Sequence, residues 1–253
     1  LEPAFLAGHS FGEVTALHAG GVLSETELLQ VARARGELMA QAAASSPGAM
    51  LAVSASAEEA TALLDSHGLL ASITVANYNS PSQLALSGTV EAIEQAAQVL
   101  SARRIAVRPL PVATAFHSPL VTPASAQLLQ FLRGVALSPP RLPVLANADA
   151  ADYPAEPEQI RERLAAQLAQ PVRWVEQVSA LYERGVRTFV EVGPGSVLTG
   201  LVAQCLSGKP HLAVSMDRKG QPGLLSLWHA LGQLAAAGVA LDFSPLWEGT
   251  REP

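Results

Sequence analysis

The segment Gly8-His9-Ser10-Phe11-Gly12 constrains the fold of this chain more than any other feature. It has the pattern G-x-S-x-G, in which a strand turns sharply into a helix and presents a serine at the turn. A short apolar run, residues 4–7, precedes it, and residues 14–18 show helical periodicity after it. The sequence therefore predicts an α/β-hydrolase-like domain with Ser10 as a candidate nucleophile. The backbone N–H of Phe11, at the helix start, is a candidate donor to an oxyanion.

Composition limits the partners and the compartment. Of the 253 residues, 49% are hydrophobic, and the net charge is −6 without a basic run, which argues against nucleic acid or an anionic membrane as partner. The sequence contains neither an apolar stretch of membrane-spanning length nor a signal-peptide pattern. The single cysteine, Cys205, is typical of a reducing compartment. We therefore expect a cytoplasmic protein.

Turn residues and hydrophobic periodicity divide most of the chain into two parts. Residues 49–112 show the element order βαββαβ of a ferredoxin-like subdomain, with strands predicted at 50–53, 73–76, 83–87 and from 105, helices at 57–67 and 90–102, and a turn at 79–82. This small subdomain is predicted to be inserted into a large α/β domain formed by residues 1–48 and 113–238. Within the large domain, residues 142–146 and 188–192 are predicted to be buried strands.

The two ends of the sequence suggest a piece of a longer protein. The chain starts without Met, a few residues before the serine motif. Near the other end, apolar side chains at Val239, Leu241 and Phe243 alternate as in a half-buried strand, and Trp247 follows. We expect residues 239–253 to be a linker that packs along its own domain and against the edge of a neighbouring domain.

A serine nucleophile needs a general base, for which the chain offers six histidines. His117 lies where the chain returns from residues 49–112, at a junction that can face a cleft, so position favours it slightly. His9 is too close in sequence to turn back easily onto Ser10. The positions of His18, His67 and His229 suit packing or the surface, and His211 follows Lys209-Pro210 in a predicted loop.

Arg35 is a candidate binder of a carboxylate. It lies on a predicted helix that begins with a capping box formed by Ser24 and Glu27. Beside Arg33 and Glu37, its default role is that of a solvated surface charge. Arginine nevertheless holds carboxylates through two parallel hydrogen bonds better than any other side chain.

Six phrases along the chain carry a family pattern. They are Gly8-His9-Ser10-Phe11-Gly12-Glu13, Arg35-Gly36-Glu37-Leu38-Met39, Asn77-Tyr78-Asn79-Ser80-Pro81-Ser82-Gln83, Ala115-Phe116-His117-Ser118-Pro119, Gln167 before Pro171-Val172-Arg173-Trp174, and Glu191-Val192-Gly193-Pro194-Gly195. In this order they resemble the acyltransferase domains of polyketide synthases and polyunsaturated fatty acid synthases. More distantly they resemble the malonyl-CoA:acyl carrier protein transacylase of bacterial fatty acid synthesis. That family also has an upstream Gly-Gln-Gly segment, which is absent here, so the N-terminal part of the large domain is expected to be missing from this chain.

The resemblance implies ping-pong acyl transfer from coenzyme A to an acyl carrier protein through an ester on Ser10. It implies His117 as the base, with the backbone carbonyl of Gln167 orienting it, and Phe11 N–H as an oxyanion donor. A coenzyme A thioester is the substrate, without a metal or bound cofactor, and neighbouring synthase domains are further partners. The implied substrate-binding residues are Arg35, His9, Phe116, Asn79 and Met39.

The acyl unit is expected to be malonyl rather than methylmalonyl. The phrase before the histidine reads Ala-Phe, as in malonyl-selecting family members, and Phe116 could fill the space of an additional methyl group. Two alternatives stay open: an acyl-thioester hydrolase and a non-catalytic docking domain with the same fold. Arg35 favours transfer of a carboxylated acyl group over the first, since a buried unpaired guanidinium is costly.

Overall fold

The structure is a computed structural model that describes residues 1–246. It contains two compact units: one is Ala4–Arg184, and the other comprises residues 1–3 and the described residues from 185 onward. Within the described part of the chain, no helix is long and apolar enough to cross a membrane.

The unit Ala4–Arg184 combines two small sheets with seven helices. In chain order its elements are β1 (Leu6–Ala7), α1 (Gly12–Ala19), α2 (Glu25–Ser45), β2 (Ala49–Val53), α3 (Ala57–Asp65), β3 (Ile73–Ser80), β4 (Gln83–Gly88), α4 (Val90–Ala102), β5 (Val107–Pro109), α5 (Thr122–Leu132), β6 (Val144–Leu145), α6 (Pro157–Ala166) and α7 (Trp174–Glu183). The capping box of α2 is confirmed, because the Ser24 side chain accepts from Glu27 N–H and the Glu27 carboxylate accepts from Ser24 N–H.

A short parallel pair of strands carries the serine motif. β1 pairs with β6 in the register Leu6↔Val144 and Ala7↔Leu145. The carboxyl ends of parallel strands meet at the same edge, so the residues after β1 and β6 are neighbours. The serine motif follows β1 and Asn147 follows β6, which brings these two segments together. Helices α1, α2, α5 and α6 surround the pair through a shared apolar core.

Residues 49–109 contain a four-stranded antiparallel sheet in the order β3-β4-β2-β5. Helices α3 and α4 contribute to its buried cluster, which includes Leu51, Leu64, Leu86 and Leu100. The sequence predicted these elements to within a few residues. The largest shift is at the end of β3, which was predicted at residue 76 and lies at Ser80. The last strand, predicted from residue 105, lies at Val107–Pro109. Ile105 instead packs on the cluster just before that strand.

The hairpin between β3 and β4 is tighter than the sequence predicted. Residues 79–82 were predicted as a turn, but β3 continues to Ser80, which pairs directly with Gln83. The register shifts between Tyr78 and Ser80, so Asn79 is an extra residue in the strand. Such bulges change the direction of a side chain. The same strand is joined to the segment before α7, because Tyr78 N–H donates to Val172 O at 2.8 Å.

The second unit contains β7 (Thr188–Glu191), α8 (Val197–Cys205), β8 (Leu212–Ser215) and α9 (Gly223–Ala236). β7 and β8 are parallel. The prediction of a buried strand at 188–192 was wrong in its burial: β7 is half-buried and Val192 is 81% exposed. The reason is that β7 pairs with one strand only within the described residues.

The prediction of a strand at residues 239–243 was also wrong. No strand is assigned there within residues 1–246, although Val239, Leu241 and Phe243 are half-buried and the residues between them exposed. Val239 and Leu241 pack on the cluster formed by β8 and α9, so side-chain packing produces the alternation without a strand partner. Trp247 lies outside the described residues.

Candidate active site

The serine motif forms a strained turn of the kind the sequence predicted. Ser10 has φ 54°, in the left-handed region that costs a residue with a side chain on the order of 1–3 kcal/mol. A Cβ on Gly8 would overlap the backbone of Gly12 and Glu13, so only glycine fits there. A Cβ on Gly12 would meet nothing within 4 Å, so the second glycine of the motif is not required sterically.

His117 is the histidine that the fold brings to Ser10. Its Nε2 lies 2.7 Å from Ser10 Oγ, and the residue is only 3% exposed. Its Nδ1 lies 3.1 Å from the carbonyl oxygen of Gln167 and 3.0 Å from that of Gln170. Carbonyl oxygens only accept, so Nδ1 carries the ring proton and Nε2 is free to accept a proton from the serine.

The electrostatic setting keeps His117 neutral. The pKa of His117 is lowered from 6.5 to about 4, chiefly by burial and then by the positive charge of Arg35, while the two backbone carbonyls act in the opposite direction. At neutral pH the imidazole is therefore unprotonated and can act as a base.

Arg35 is buried, which corrects the default expectation of a solvated surface charge. It is 7% exposed, and its Nη1 is buried without a hydrogen-bond partner in the described part of the chain. Burial lowers the pKa of Arg35 to about 10, so the group stays charged at neutral pH. Its guanidinium carbon lies 5.4 Å from the centre of the Phe11 ring, a cation–π contact. Arg33, by contrast, pairs with Glu37 at 2.7 Å on the exposed face.

His9 and Asn79 form a second pair beside the serine. His9 Nε2 and Asn79 Oδ1 are 2.8 Å apart, a contact that the bulge at Asn79 makes possible. The edge of Trp174 contacts the same histidine, with ring centres 5.7 Å apart. Burial lowers the pKa of His9, so it is also neutral at pH 7.

The structure places the remaining predicted residues as follows. Phe11 is 46% exposed, with its ring on Arg35 and its backbone at the N-cap of α1. Phe116 is half-buried and packs against the core of the large unit and against the cluster of Met50, Ala76 and Ala85. Met39 is buried within the core around α2. Whether Met39 and Phe116 touch substrate stays a prediction.

The remaining histidines are His18, His67, His211 and His229. His67 and His229 are exposed, whereas His211 is half-buried with its Nδ1 2.8 Å from Lys209 O. His18 is half-buried, and its Nδ1 lies 2.9 Å from Leu23 O. Within residues 1–246 no cluster of His, Cys, Asp or Glu side chains is arranged to hold a metal ion.

Sequence reasoning missed several residues that surround the strained turn at Ser10, which we call the elbow. Asn147 Oδ1 accepts from Ser10 N–H at 2.6 Å, and Gln170 adds a second carbonyl beside His117. Glu13 was part of the motif but had no role assigned, and Tyr153 donates to its carboxylate. The position of Asn147 after a buried strand was a signal that could have been used, whereas nothing local marked Tyr153 or Gln170.

Comparison with known proteins agrees with this geometry. A profile of the acyl transferase domain matches residues 1–241. The chain belongs to the acyl transferase family. This match confirms the family resemblance that the six phrases indicated, and it extends over nearly the whole chain.

Relatives of this acyl transferase domain include malonyl transacylases and a domain of a polyketide synthase. The malonyl CoA-acyl carrier protein transacylase of Bacillus subtilis is 38% identical over 222 residues, covering 85% of this chain and 68% of that protein. Among solved structures, the acyltransferase domain from the second module of the salinomycin polyketide synthase gives a TM-score of 0.85 at 31% identity, covering all of this chain and 60% of that one. A malonyl-transacylase of a type II polyketide synthase, solved in complex with its acyl carrier protein, gives 0.81 at 31% identity, covering 92% and 74%. The chain therefore spans about two thirds of the length of these relatives.

Proposed function

We propose that this chain transfers a malonyl group from coenzyme A to the phosphopantetheine thiol of an acyl carrier protein, through an ester on Ser10. The Bacillus relative and the solved complex carry this activity and this partner in their names. The single cysteine supports placing the reaction in the reducing cytoplasm.

One observation carries the choice of acyl group: the buried, unpartnered Nη1 of Arg35. An uncompensated guanidinium in the interior is costly, and a carboxylate is the ligand that repays this cost best. The guanidinium carbon of Arg35 lies 5.4 Å from the ring centre of Phe11, the residue after Ser10, and its charge contributes to lowering the pKa of His117. A carboxylate bound at Arg35 therefore lies within reach of the reacting serine, as the malonyl group requires.

The first half-reaction uses the Ser10–His117 pair. Ser10 Oγ attacks the thioester carbonyl while its proton passes to His117 Nε2, 2.7 Å away. The Phe11 N–H at the start of α1 stabilises the oxyanion of the tetrahedral intermediate. When the C–S bond breaks, His117 returns the proton to the coenzyme A thiolate. The carbonyl of Gln167, with that of Gln170, keeps the histidine in the required tautomer.

The second half-reaction repeats these steps with a new thiol. The phosphopantetheine thiol gives its proton to His117 and attacks the malonyl ester, and Ser10 recovers the proton as the C–O bond breaks. His9, Asn79, Met39 and Phe116 complete the substrate site in this proposal. His9 and Asn79 are supported by their mutual contact of 2.8 Å beside Ser10. Phe116, next to His117, disfavours the additional methyl group of methylmalonyl.

The same proposal includes the domain organisation. Residues 1–48 and 113–238 form the large domain, and residues 49–112 form an inserted ferredoxin-like subdomain. The sheet order β3-β4-β2-β5 supports this, as does the hydrogen bond from Gly48 N–H to Ala113 O at 3.3 Å, which brings the entering and leaving chain together. Residues 239–253 are a linker within a multidomain synthase. The salinomycin domain, which covers all of this chain and comes from a module of a polyketide synthase, supports a synthase as the parent protein.

A thioester hydrolase and a non-catalytic docking domain are the competing functions. The experiment is to malonylate the full-length protein with radiolabelled malonyl-CoA and then add either buffer or holo-acyl carrier protein. Transfer predicts a stable Ser10 ester that moves to the carrier protein. Rapid loss of label to water would indicate a hydrolase, and absence of labelling would indicate a docking domain.

A further inference from the structure

The buried polar groups behind the serine turn form a connected network. Asn147 lies at its centre and is completely buried. Its side chain accepts from Ser10 N–H at 2.6 Å through Oδ1 and donates to Gly8 O at 2.5 Å through Nδ2. One side-chain amide thus bonds both Ser10, the residue in the strained conformation, and Gly8, two residues before it.

A buried carboxyl group holds Asn147 from the other side. Glu13 Oε2 accepts from Asn147 N–H at 2.9 Å, and Glu13 Oε1 accepts from the hydroxyl of Tyr153. Glu13 is fully buried, which raises its pKa to about 7, while these two donors and Arg35 act in the opposite direction. Burying an ionisable group is costly unless hydrogen bonds compensate it, and here the donors from Asn147 and Tyr153 do so.

The network touches the nucleophile only through its backbone. Ser10 is held at φ 54°, and a side chain in that conformation persists only when its surroundings fix it. The hydrogen bonds of Asn147 to Gly8 and Ser10 are the contacts that fix it from the β6 side. The Gln167 side chain completes the set by donating to Ser10 O at 2.9 Å.

We infer that Asn147 is a positioning residue for the nucleophile, supported by Glu13 and Tyr153, and that it sets the direction in which Ser10 Oγ points. This inference rests on the proposed function of Ser10. It adds residues that neither the motif nor the serine–histidine contact requires. A hydroxyl displaced by about 1 Å from the acceptor on His117 loses roughly 100-fold in rate.

The test measures the reactivity of Ser10 with two reagents in the full-length protein. A fluorophosphonate probe reports an activated serine whatever its natural acyl group, and malonyl-CoA reports acylation. Asn147→Ala is compared with the control Ser215→Ala. Ser215 is also buried, and its hydroxyl donates to Gly195 O at 2.5 Å, far along the chain from the serine turn. Circular dichroism and thermal melting establish that each variant is folded.

Asn147→Ala is expected to slow probe labelling about 100-fold and to lower kcat for malonyl transfer with little change in KM, because Arg35 is untouched. Ser215→Ala is expected to label at the wild-type rate even if it melts earlier. A folded Asn147→Ala protein that labels within threefold of wild type would overturn the inference.

If Asn147→Ala does not fold, Tyr153→Phe tests the positioning role of the network instead. It removes one hydroxyl two steps from Ser10 and should slow labelling about tenfold; an unchanged rate would overturn the inference. Failure of the proposed function has a different signature. In that case the wild-type protein reacts with the fluorophosphonate but not with malonyl-CoA. The variants still label with the fluorophosphonate more slowly than wild type, as the positioning role predicts.

Discussion

Ser10 and His117 face each other across 2.7 Å, and both have left-handed backbones, with φ 54° and 57°. Each residue is thus held in a conformation that side chains avoid, and the fold supplies the contacts that keep it there. For His117 these include its N–H donating to Leu168 O at 3.0 Å. The hydroxyl and the imidazole are therefore already in hydrogen-bonding geometry in the absence of substrate, as general-base catalysis requires.

Arg35→Ala should change the preferred acyl group rather than abolish turnover. Losing the partner of a buried carboxylate costs on the order of 2–5 kcal/mol, whereas an acetyl group has no carboxylate to lose. We expect malonyl-CoA loading to fall by at least 30-fold relative to acetyl-CoA loading. Arg33→Ala is the matched control, two residues away on the exposed face of α2, and should leave the ratio unchanged. An unaltered ratio in Arg35→Ala would exclude the carboxylate-binding role.

The pH dependence of acylation should reflect the lowered pKa of His117. With that pKa at about 4, the histidine is still neutral at pH 5. The second-order rate of Ser10 acylation at pH 5 should therefore be within about twofold of that at pH 7. Stopped-flow measurement with malonyl-CoA checks this, repeated in Glu13→Gln because Glu13 also titrates in this range. A loss of more than tenfold by pH 5 in both proteins would mean that His117 has an ordinary pKa.

Glu13 should make the protein less stable as pH rises. Its pKa is raised from 4.5 to about 7 by burial, so the folded state holds a proton that the unfolded state releases. The stabilisation is present below pH 4.5 and is lost as pH approaches 7, a change of about 3 kcal/mol. His117 acts in the opposite direction between pH 4 and 6.5, because its pKa is lowered.

The measurement compares urea unfolding of wild type with that of Glu13→Gln at pH 4.5, 5.5, 6.5 and 7.5. The contribution of His117 is common to both proteins and cancels in the difference. We expect the stability of wild type relative to the variant to fall steadily with pH. A constant difference would show that Glu13 is not protonated in the folded state.

Phe116 should limit the size of the acyl group. In competition between the two coenzyme A esters, malonyl should load about 10-fold or more over methylmalonyl, as one methyl group is worth roughly 1–3 kcal/mol in such a pocket. Phe116→Ala should lower the ratio of malonyl to methylmalonyl loading. Phe131→Ala, on the exposed face of α5, should not. Equal or faster methylmalonyl loading by the wild-type protein would contradict the assignment.

The sequence was sufficient to predict those features of the fold and site that depend on residues close together in the chain. The capping box at Ser24 and the serine turn depend on residues within a few positions, and both were predicted. The choice between Arg33 and Arg35 was not available from the helix alone, because which face of α2 is buried depends on α1 and α5, which pack against it. Asn147 and Tyr153 form contacts across more than 130 residues: the place of Asn147 after a buried strand gave a hint of its position, but their partners could be known only from the fold.

The most direct test of the account is intact-protein mass spectrometry after brief exposure of the full-length protein to malonyl-CoA, with peptide mapping of the modified site. We predict one malonyl group on Ser10 of the wild-type protein, removed by holo-acyl carrier protein. We predict none on a folded Ser10→Ala variant, since loss of one hydroxyl leaves no large cavity. A malonyl group on the alanine variant, or on another residue of the wild type, would contradict the account.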